Sequence, residues 1–438
     1  MDDLAFLLLV LNTASAMCIA FREFLRRGGY LTLPFLTSLL FLSWYLPQAW
    51  TLLDYPTIAP ESLVRLLFMS MLCFWAMVLG WHRGLGRWCQ PVALNLPVRR
   101  LLLPVYTITL FAMVMRALIE MQPPEVRAMG QWTGIITIIA FFSSVSVVSM
   151  ALSTAMILKK RNLATLVLFS LNLLTYLPLI FIYFRRADTF EFGLAVLLGL
   201  FFVQGRTIPR VALIALTIVG FFFVNAVGEL RTLGGGYRIG DTGVIEARLP
   251  TLSEIAKIDW LAAVDLSDSV HRSETMNAVV SMEAVAQYGP FTLGAQFWNR
   301  MVFAYIPGQL LGHDFKRSLM VSDDALEVAR ENFFFEAHTG TTSTGFLHPY
   351  QDFWFLGCAV WWFAGYVMGR VMRHALRGSI LAYALYAATI SNAVHMTTHF
   401  GYYLFTQSVL IVIAILFVRL WLRRTKQRGR YETKGIYA

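Results

Sequence analysis

Four polar clusters interrupt an otherwise apolar chain, and they hold most of the residues able to do chemistry. FRRADTFE (184–191) sets Arg185 and Arg186 side by side, with Asp188 close behind. At a membrane surface a guanidinium pair is well shaped to grip phosphate through its fork of donors. The alternative is two arginines reaching into lipid headgroups, partnered by Asp188. NAVGELRTLGGGYRIGDTG (225–243) carries Arg231 and the run Gly234, Gly235, Gly236. Successive backbone N–H groups of such a run can form an anion nest. It has no P-loop context, so a flexible hinge fits equally well.

The third cluster is ENFFFEAHTGTTSTGFLHPYQDFWFLG (331–357). It sets His338, Thr339, Thr341, Thr342, Ser343, Thr344 and His348 within eleven residues, flanked by Glu336 and Asp352. Histidine takes and returns a proton near neutral pH. A hydroxyl-rich, glycine-containing loop suits sugar or phosphate. The fourth is HMTTHFGYY (395–403), where His395 and His399 share a face if the stretch is helical. A zinc-type HExxH would need glutamate after the first histidine, and Met396 stands there. Substrate contact or plain packing is the better expectation, and no metal site is expected. Arg65 and Arg116 lie inside apolar runs near their ends, which suggests snorkelling. No GxSxG nucleophile motif occurs.

The elements that must position these clusters are membrane helices. Of 438 residues 57% are hydrophobic and 14% charged, against roughly 25% charged in a soluble domain. A water-soluble globule, a disordered chain and a coiled coil are all excluded by these proportions. Cys18, Cys73, Cys89 and Cys358 are too scattered for a disulfide framework or a zinc site. Apolar runs near 4–21, 31–52, 62–81, 101–119, 131–158, 163–184, 191–204, 208–227, 352–369, 379–394 and 401–418 predict about eleven transmembrane helices. The first run follows two aspartates with no basic flank, so it reads as a span instead of a cleaved signal.

Charge sets the orientation. With the N-terminus outside, the inner loops and the tail hold 22 of the 36 basic residues and only Glu23 and Glu432 among the acids. That asymmetry is the positive-inside pattern. The net charge of +10 is therefore a cytoplasmic-face signal spread over short loops, and nucleic acid is not an expected partner. The expected organisation is spans one to eight in 1–227, an extracytoplasmic domain in 228–351, spans nine to eleven in 352–418 and a basic cytoplasmic tail in 419–438. The 228–351 segment has nine basic and fifteen acidic residues. Within it FTLGAQFWNRMVFAYIPGQLL (291–311) is nearly apolar enough to span. Parity and the mid-run Arg300 favour an interfacial or re-entrant helix instead. No internal repeat is visible.

Several motifs in this order resemble the Wzy-type oligosaccharide repeat-unit polymerases of bacterial envelopes, including the O-antigen and enterobacterial common antigen polymerases. The matching residues are LTYLPLIFIYFRRA (174–187), GELR (228–231), FAYIPG (303–308), HTG (338–340), STGF (343–346) and DFWFLG (352–357). They cover roughly 174–370; the first half of the chain matches only in hydropathy.

The resemblance implies an all-α polytopic glycosyltransferase of the bacterial inner membrane with its site facing the periplasm. Such an enzyme moves the growing glycan from undecaprenyl pyrophosphate to a new lipid-linked repeat unit. No nucleotide sugar and no metal or other cofactor is implied; the partners are the lipid-linked oligosaccharides, the bilayer and, as a further candidate, a chain-length regulator. By position in the family pattern, Arg186, Arg231 and His338 are the catalytic candidates. Arg185, Asp188, Arg272, Tyr305, Thr341, Ser343, His348, His395 and His399 are the candidate substrate contacts. The family's usual asparagine is Asp188 here, which suggests that this residue orients Arg186 or serves as a base. The proton acceptor stays open among His338, Asp188, Glu336 and His348. The alternatives are an O-antigen ligase-like transferase and a lipid-linked oligosaccharide flippase; few charges in the central thirds of the spans weigh against the latter.

Overall fold

The computed structural model describes residues 2–55, 58–123, 135–233, 238–239, 245–246, 251–258, 273–289, 291–338 and 341–435. Arg272 and the Gly234–Gly236 run lie outside these residues, and of Arg231 only the backbone is described. The chain is almost wholly helical. Among the described residues its β structure is the two-residue pair Arg238–Ile239 with Ile245–Glu246.

The eleven apolar runs fold as helix over most of their length. Seven helical stretches among the described residues are long and apolar enough to cross a membrane: Asp3–Leu25, Pro60–Leu85, Val98–Glu120, Ile135–Lys159, Leu163–Phe181, Arg186–Gln204 and Leu347–Leu376. This is consistent with a polytopic membrane protein. Of the other predicted spans, one is interrupted and another is the sixteen-residue helix Ile380–His395. The run at 31–52 breaks at a wide turn, Phe41–Tyr45, where Leu46 N bonds back to Phe41 O. Pro47 follows; its ring cannot sit over a regular helical turn, and the wider turn relieves that clash. The helix Arg210–Leu233 has 24 residues, of which Arg210–Gly220 form an apolar stretch among the described residues. The last helix, Val409–Gly435, runs on into the basic tail.

The chain divides into two compact units, each gathered from distant parts of the sequence. The first holds residues 1–88, 261–373 and 392–408; the second holds 89–260, 374–391 and 409–438. The segment 228–351 is thus shared between them.

In the first unit, glycines set a close helix contact. Helix Pro60–Leu85 carries Gly80 and Gly84, and helix Cys358–Leu376 carries Gly365 and Gly369. A Cβ on Gly80 would lie 2.0 Å from the Trp362 carbonyl oxygen, and one on Gly84 2.1 Å from that of Tyr366. In return, Cβ atoms on Gly365 and Gly369 would lie 2.2 Å and 2.4 Å from the Met77 and Trp81 oxygens. Two four-residue glycine spacings interlock, backbone against backbone, which is how membrane helices pack when no hydrophobic force drives them together.

The same unit ties the helix Glu274–Gln287 to the early helices through polar groups. Gln48 donates to Glu274 Oε2 at 3.0 Å and accepts from the Thr275 hydroxyl at 2.9 Å. Glu283 accepts from Ser62 Oγ at 2.8 Å and pairs with Arg65. Burial alone would raise the Glu283 carboxyl; bonds from Ser62, Gln287 and Arg65 and the Arg65 charge outweigh it and hold the group below its ordinary value. The sequence suggests a snorkelling Arg65, and the structure makes it an ion-pair partner instead.

In the second unit a buried amide joins three helices. Asn172 donates to Thr109 Oγ1 at 3.1 Å and accepts from Ser149 Oγ at 2.5 Å. These residues lie on Leu163–Phe181, Val98–Glu120 and Ser146–Lys159. Interhelical bonds of this kind give register to otherwise apolar faces.

Candidate functional site

The site in the first unit is built outward from Asp352, which is fully buried. Its Oδ1 accepts from Thr292 Oγ1 at 2.5 Å and Gln296 N at 3.0 Å. Its Oδ2 accepts from Phe297 N at 3.3 Å and from the Tyr402 hydroxyl. Gln296 and Phe297 open the helix Ala295–Tyr305, so the carboxylate satisfies N–H groups that the helix leaves unpaired. Asp352 thereby fixes where that helix starts and which face it turns inward.

The inward face carries Arg300. Its Nη2 donates to Asp324 Oδ2 at 2.7 Å and meets His348 Nε2 at 2.7 Å; Asp324 Oδ2 and His348 Nε2 are 3.5 Å apart. Arg300 also lies 5.0 Å over the Phe400 ring. A guanidinium has only donors, so Nε2 accepts from Arg300 when it carries no proton and gives its proton to Asp324 when it does. His348 is 1% exposed, and Nδ1 has no hydrogen-bond partner among the described residues.

Asp324 caps the helix Ala325–Phe333, accepting from Leu326 N at 3.1 Å, while Glu327 reaches back to the Asp324 N–H. Burial pushes the Asp324 carboxyl up. The His348 ring, the Arg300 guanidinium and the Leu326 N–H more than reverse this and hold it well below the usual carboxylate range.

The hydroxyl-rich loop above this cluster is largely used up in packing. Thr341 Oγ1 donates to the His338 carbonyl at 2.6 Å and accepts from Asn277 Nδ2 at 2.9 Å. Thr342 Oγ1 donates to Thr398 O at 2.5 Å, and Gly345 N donates to Thr397 O at 3.0 Å. Ser343 and Thr344 are buried. A Cβ on Gly345 would lie 1.5 Å from the Met396 oxygen, so only glycine lets the loop lie this close. Of the two flanking histidines, His338 is exposed and His348 is enclosed. Glu336 is exposed beside His338.

Tyr305 donates its hydroxyl to the Thr406 carbonyl. His395 and His399 stack edge to face at 5.2 Å between centroids, with Tyr403 against both rings. His399 Nδ1 lies 2.7 Å from Thr398 Oγ1. Burial, and then the neighbouring His395, pull His399 down to about 4. Among the described residues no three His, Cys, Asp or Glu side chains converge as a metal would need.

The second unit holds the arginine pair. Arg185 and Arg186 are both exposed, and Arg186 opens the helix Arg186–Gln204. Arg185 Nε pairs with Asp188 Oδ2 at 3.3 Å, so this acid orients Arg185. Arg116, expected to snorkel, pairs with Glu120 at 3.0 Å and lies 5.4 Å from the Tyr183 ring centroid. The Tyr183 hydroxyl closes the group by donating to Glu120 Oε2 at 2.8 Å. Arg231 stands on the helix Arg210–Leu233.

The structure therefore sets His338, Thr341 and Ser343 in one loop of the first unit and His348 on the helix Leu347–Phe353 that follows it, with Tyr305, His395 and His399 on other elements of that unit. It sets Arg185, Arg186 and Asp188 together in the second. Sequence reasoning misses Asp324 and Tyr402, and takes Arg300 only as a reason against a span. The signal for Asp324 is the sequence Asp324-Ala-Leu-Glu327, a capping box, which places a fixed carboxylate within reach of a charge that needs one. Compared with family models, curated proteins and solved structures, the chain has no match.

Proposed function

We propose that the chain is a membrane glycosyltransferase of about eleven spans that polymerises undecaprenyl-pyrophosphate-linked oligosaccharide repeat units at the periplasmic face of the inner membrane. The observation that carries this reading is the placement of Arg185 and Arg186. Two exposed guanidinium groups open an apolar, membrane-length helix. A helix N-terminus and paired guanidinium groups both favour a polyanion at that point, and pyrophosphate on a lipid carrier presents its charge at that depth.

In this reaction a hydroxyl of the incoming repeat unit attacks the anomeric carbon of the growing glycan. The new glycosidic C–O bond forms as the bond to pyrophosphate breaks, and undecaprenyl pyrophosphate departs with the electron pair. The hydroxyl proton passes to a side-chain base; His338, exposed on a loop pinned by Thr341 and Asn277, is the candidate in the first unit and Asp188 the candidate in the second. Arg186 and Arg231 stabilise charge building on the leaving pyrophosphate, and Arg185, held by Asp188, contributes to binding it. His348 and the buried hydroxyls shape the loop from below.

The test is reconstitution of the purified chain in liposomes with synthetic lipid-linked repeat units. A ladder of products that stays on undecaprenyl pyrophosphate supports the reading. Unchanged single repeats, with the protein folded, refute it.

A further inference from the structure

The helix Ala295–Tyr305 is inside out. Gln296 is 1% exposed and Asn299 is buried, while Arg300 turns toward Asp324 and His348. Trp298, on the opposite face, is 51% exposed, and Phe303, near the end of the helix, is 64% exposed. In water this would leave aromatic area hydrated, forgoing about 25 cal/mol for every Å². In lipid it is the favourable arrangement, because polar groups find partners in the protein and apolar ones find acyl chains.

The apolar face continues along the chain. Leu310, 67% exposed, and Phe315 extend it through the next two turns. At its start, the Phe291 ring lies 6.3 Å from that of Trp354, and Trp354 is itself exposed in the membrane-length stretch Leu347–Leu376. The segment thus begins against an exposed aromatic of a membrane-length stretch. Its edge is basic: Lys316 Nζ lies 4.4 Å from the Phe303 ring centroid and donates to the Phe303 carbonyl at 2.8 Å, and Arg317 is exposed beside it, with Asp314 in the same short helix. Aromatic rings with basic groups at their border are the pattern of the headgroup layer.

We propose that residues 291–319 lie in the headgroup–acyl boundary of the bilayer, with Phe303, Leu310 and Phe315 in lipid and Lys316 and Arg317 at the level of the lipid phosphates. The Arg300–Asp324–His348 cluster is then anchored at headgroup depth by the same helix. This placement does not depend on the reaction proposed above.

The test is photo-crosslinking of the full chain in native membranes. Benzoylphenylalanine replaces Phe303, Leu310 or Phe315 singly, with Leu79 on the span Pro60–Leu85 as a lipid-facing reference and exposed Glu331 as a solvent reference. Each variant is first checked for a monodisperse profile on size exclusion, and the three positions stand in for one another if one misfolds. Phospholipid adducts, identified by mass, are expected at yields near that of Leu79 and about tenfold above Glu331. Adducts to a second copy of the chain or to another protein, or lipid yields no higher than at Glu331, overturn the proposal.

Discussion

Arg300 Nη2 and His348 Nε2 stand 2.7 Å apart, and the guanidinium can only donate. One contact therefore ties a buried histidine to the charge that, through Asp324, holds the start of a second helix. Three segments distant in sequence are locked by a single charge.

Removing that charge is costly. Arg300→Met leaves Asp324 and His348 facing each other without the cation that joins them. Breaking a fully buried pair from one side costs about 3 to 5 kcal/mol, and this half-buried pair is expected to cost less. Thermal unfolding in detergent is expected to show a large fall in Tm for Arg300→Met and a smaller fall for Arg300→Lys. Equal Tm for Arg300→Met and the parent chain would mean that the cluster contributes nothing.

The interlocked glycines give a second expectation. A Cβ on Gly84 would overlap a backbone oxygen, which no rotamer can relieve. Gly84→Val is expected to force the helices Pro60–Leu85 and Cys358–Leu376 apart, costing at least about 1 to 3 kcal/mol. A Cβ added at Gly193, on the helix Arg186–Gln204, would meet nothing within 4 Å. Gly193→Ala is therefore expected to fold as well as the parent. Matched size-exclusion and melting profiles would check both.

The contrast between these features shows what could be read from sequence. The helices were legible because length and apolarity suffice to place them. The spacing of Gly80 with Gly84 and of Gly365 with Gly369 is visible too, but not that each pair answers the other across 285 residues. Arg300 announced a need for a partner without naming it, since His348 and Asp324 reach it only through the fold. The hydroxyl loop looked open because Asn277, which donates to it, and the carbonyls of Thr397 and Thr398, which accept from it, lie far off in the chain.

Acid is expected to destabilise the fold through His399. Its folded value, about 4, lies below the ordinary value of 6.5, so the unfolded chain binds the proton more readily. Stability from this group is complete above about pH 6.5 and is lost as pH falls toward 4. Asp324 is also depressed, but its loss begins only below the ordinary carboxylate value, about 3.9. Tm measured between pH 7.5 and 4.5 should therefore fall less steeply in His399→Gln than in the parent. Identical slopes would show that His399 titrates normally.

The exposed candidates should separate activity from stability. His338→Ala and Arg186→Ala are expected to remove polymer without moving Tm, because neither side chain is buried. Arg185→Ala is expected to weaken binding of the lipid-linked substrate, raising KM more than it lowers kcat. Ser343→Ala, at a buried position, should leave both unchanged. Steady-state assays on reconstituted variants check each outcome.

The most direct measurement is the profile of surface and lipid-linked glycan in cells lacking this chain. The expected result is a single repeat unit on the envelope with no ladder, restored by the parent chain and not by His338→Ala. Long chains accumulating on the lipid carrier would point to a ligase, and repeat units trapped on the cytoplasmic face would point to a flippase. Either would contradict polymerisation as the function.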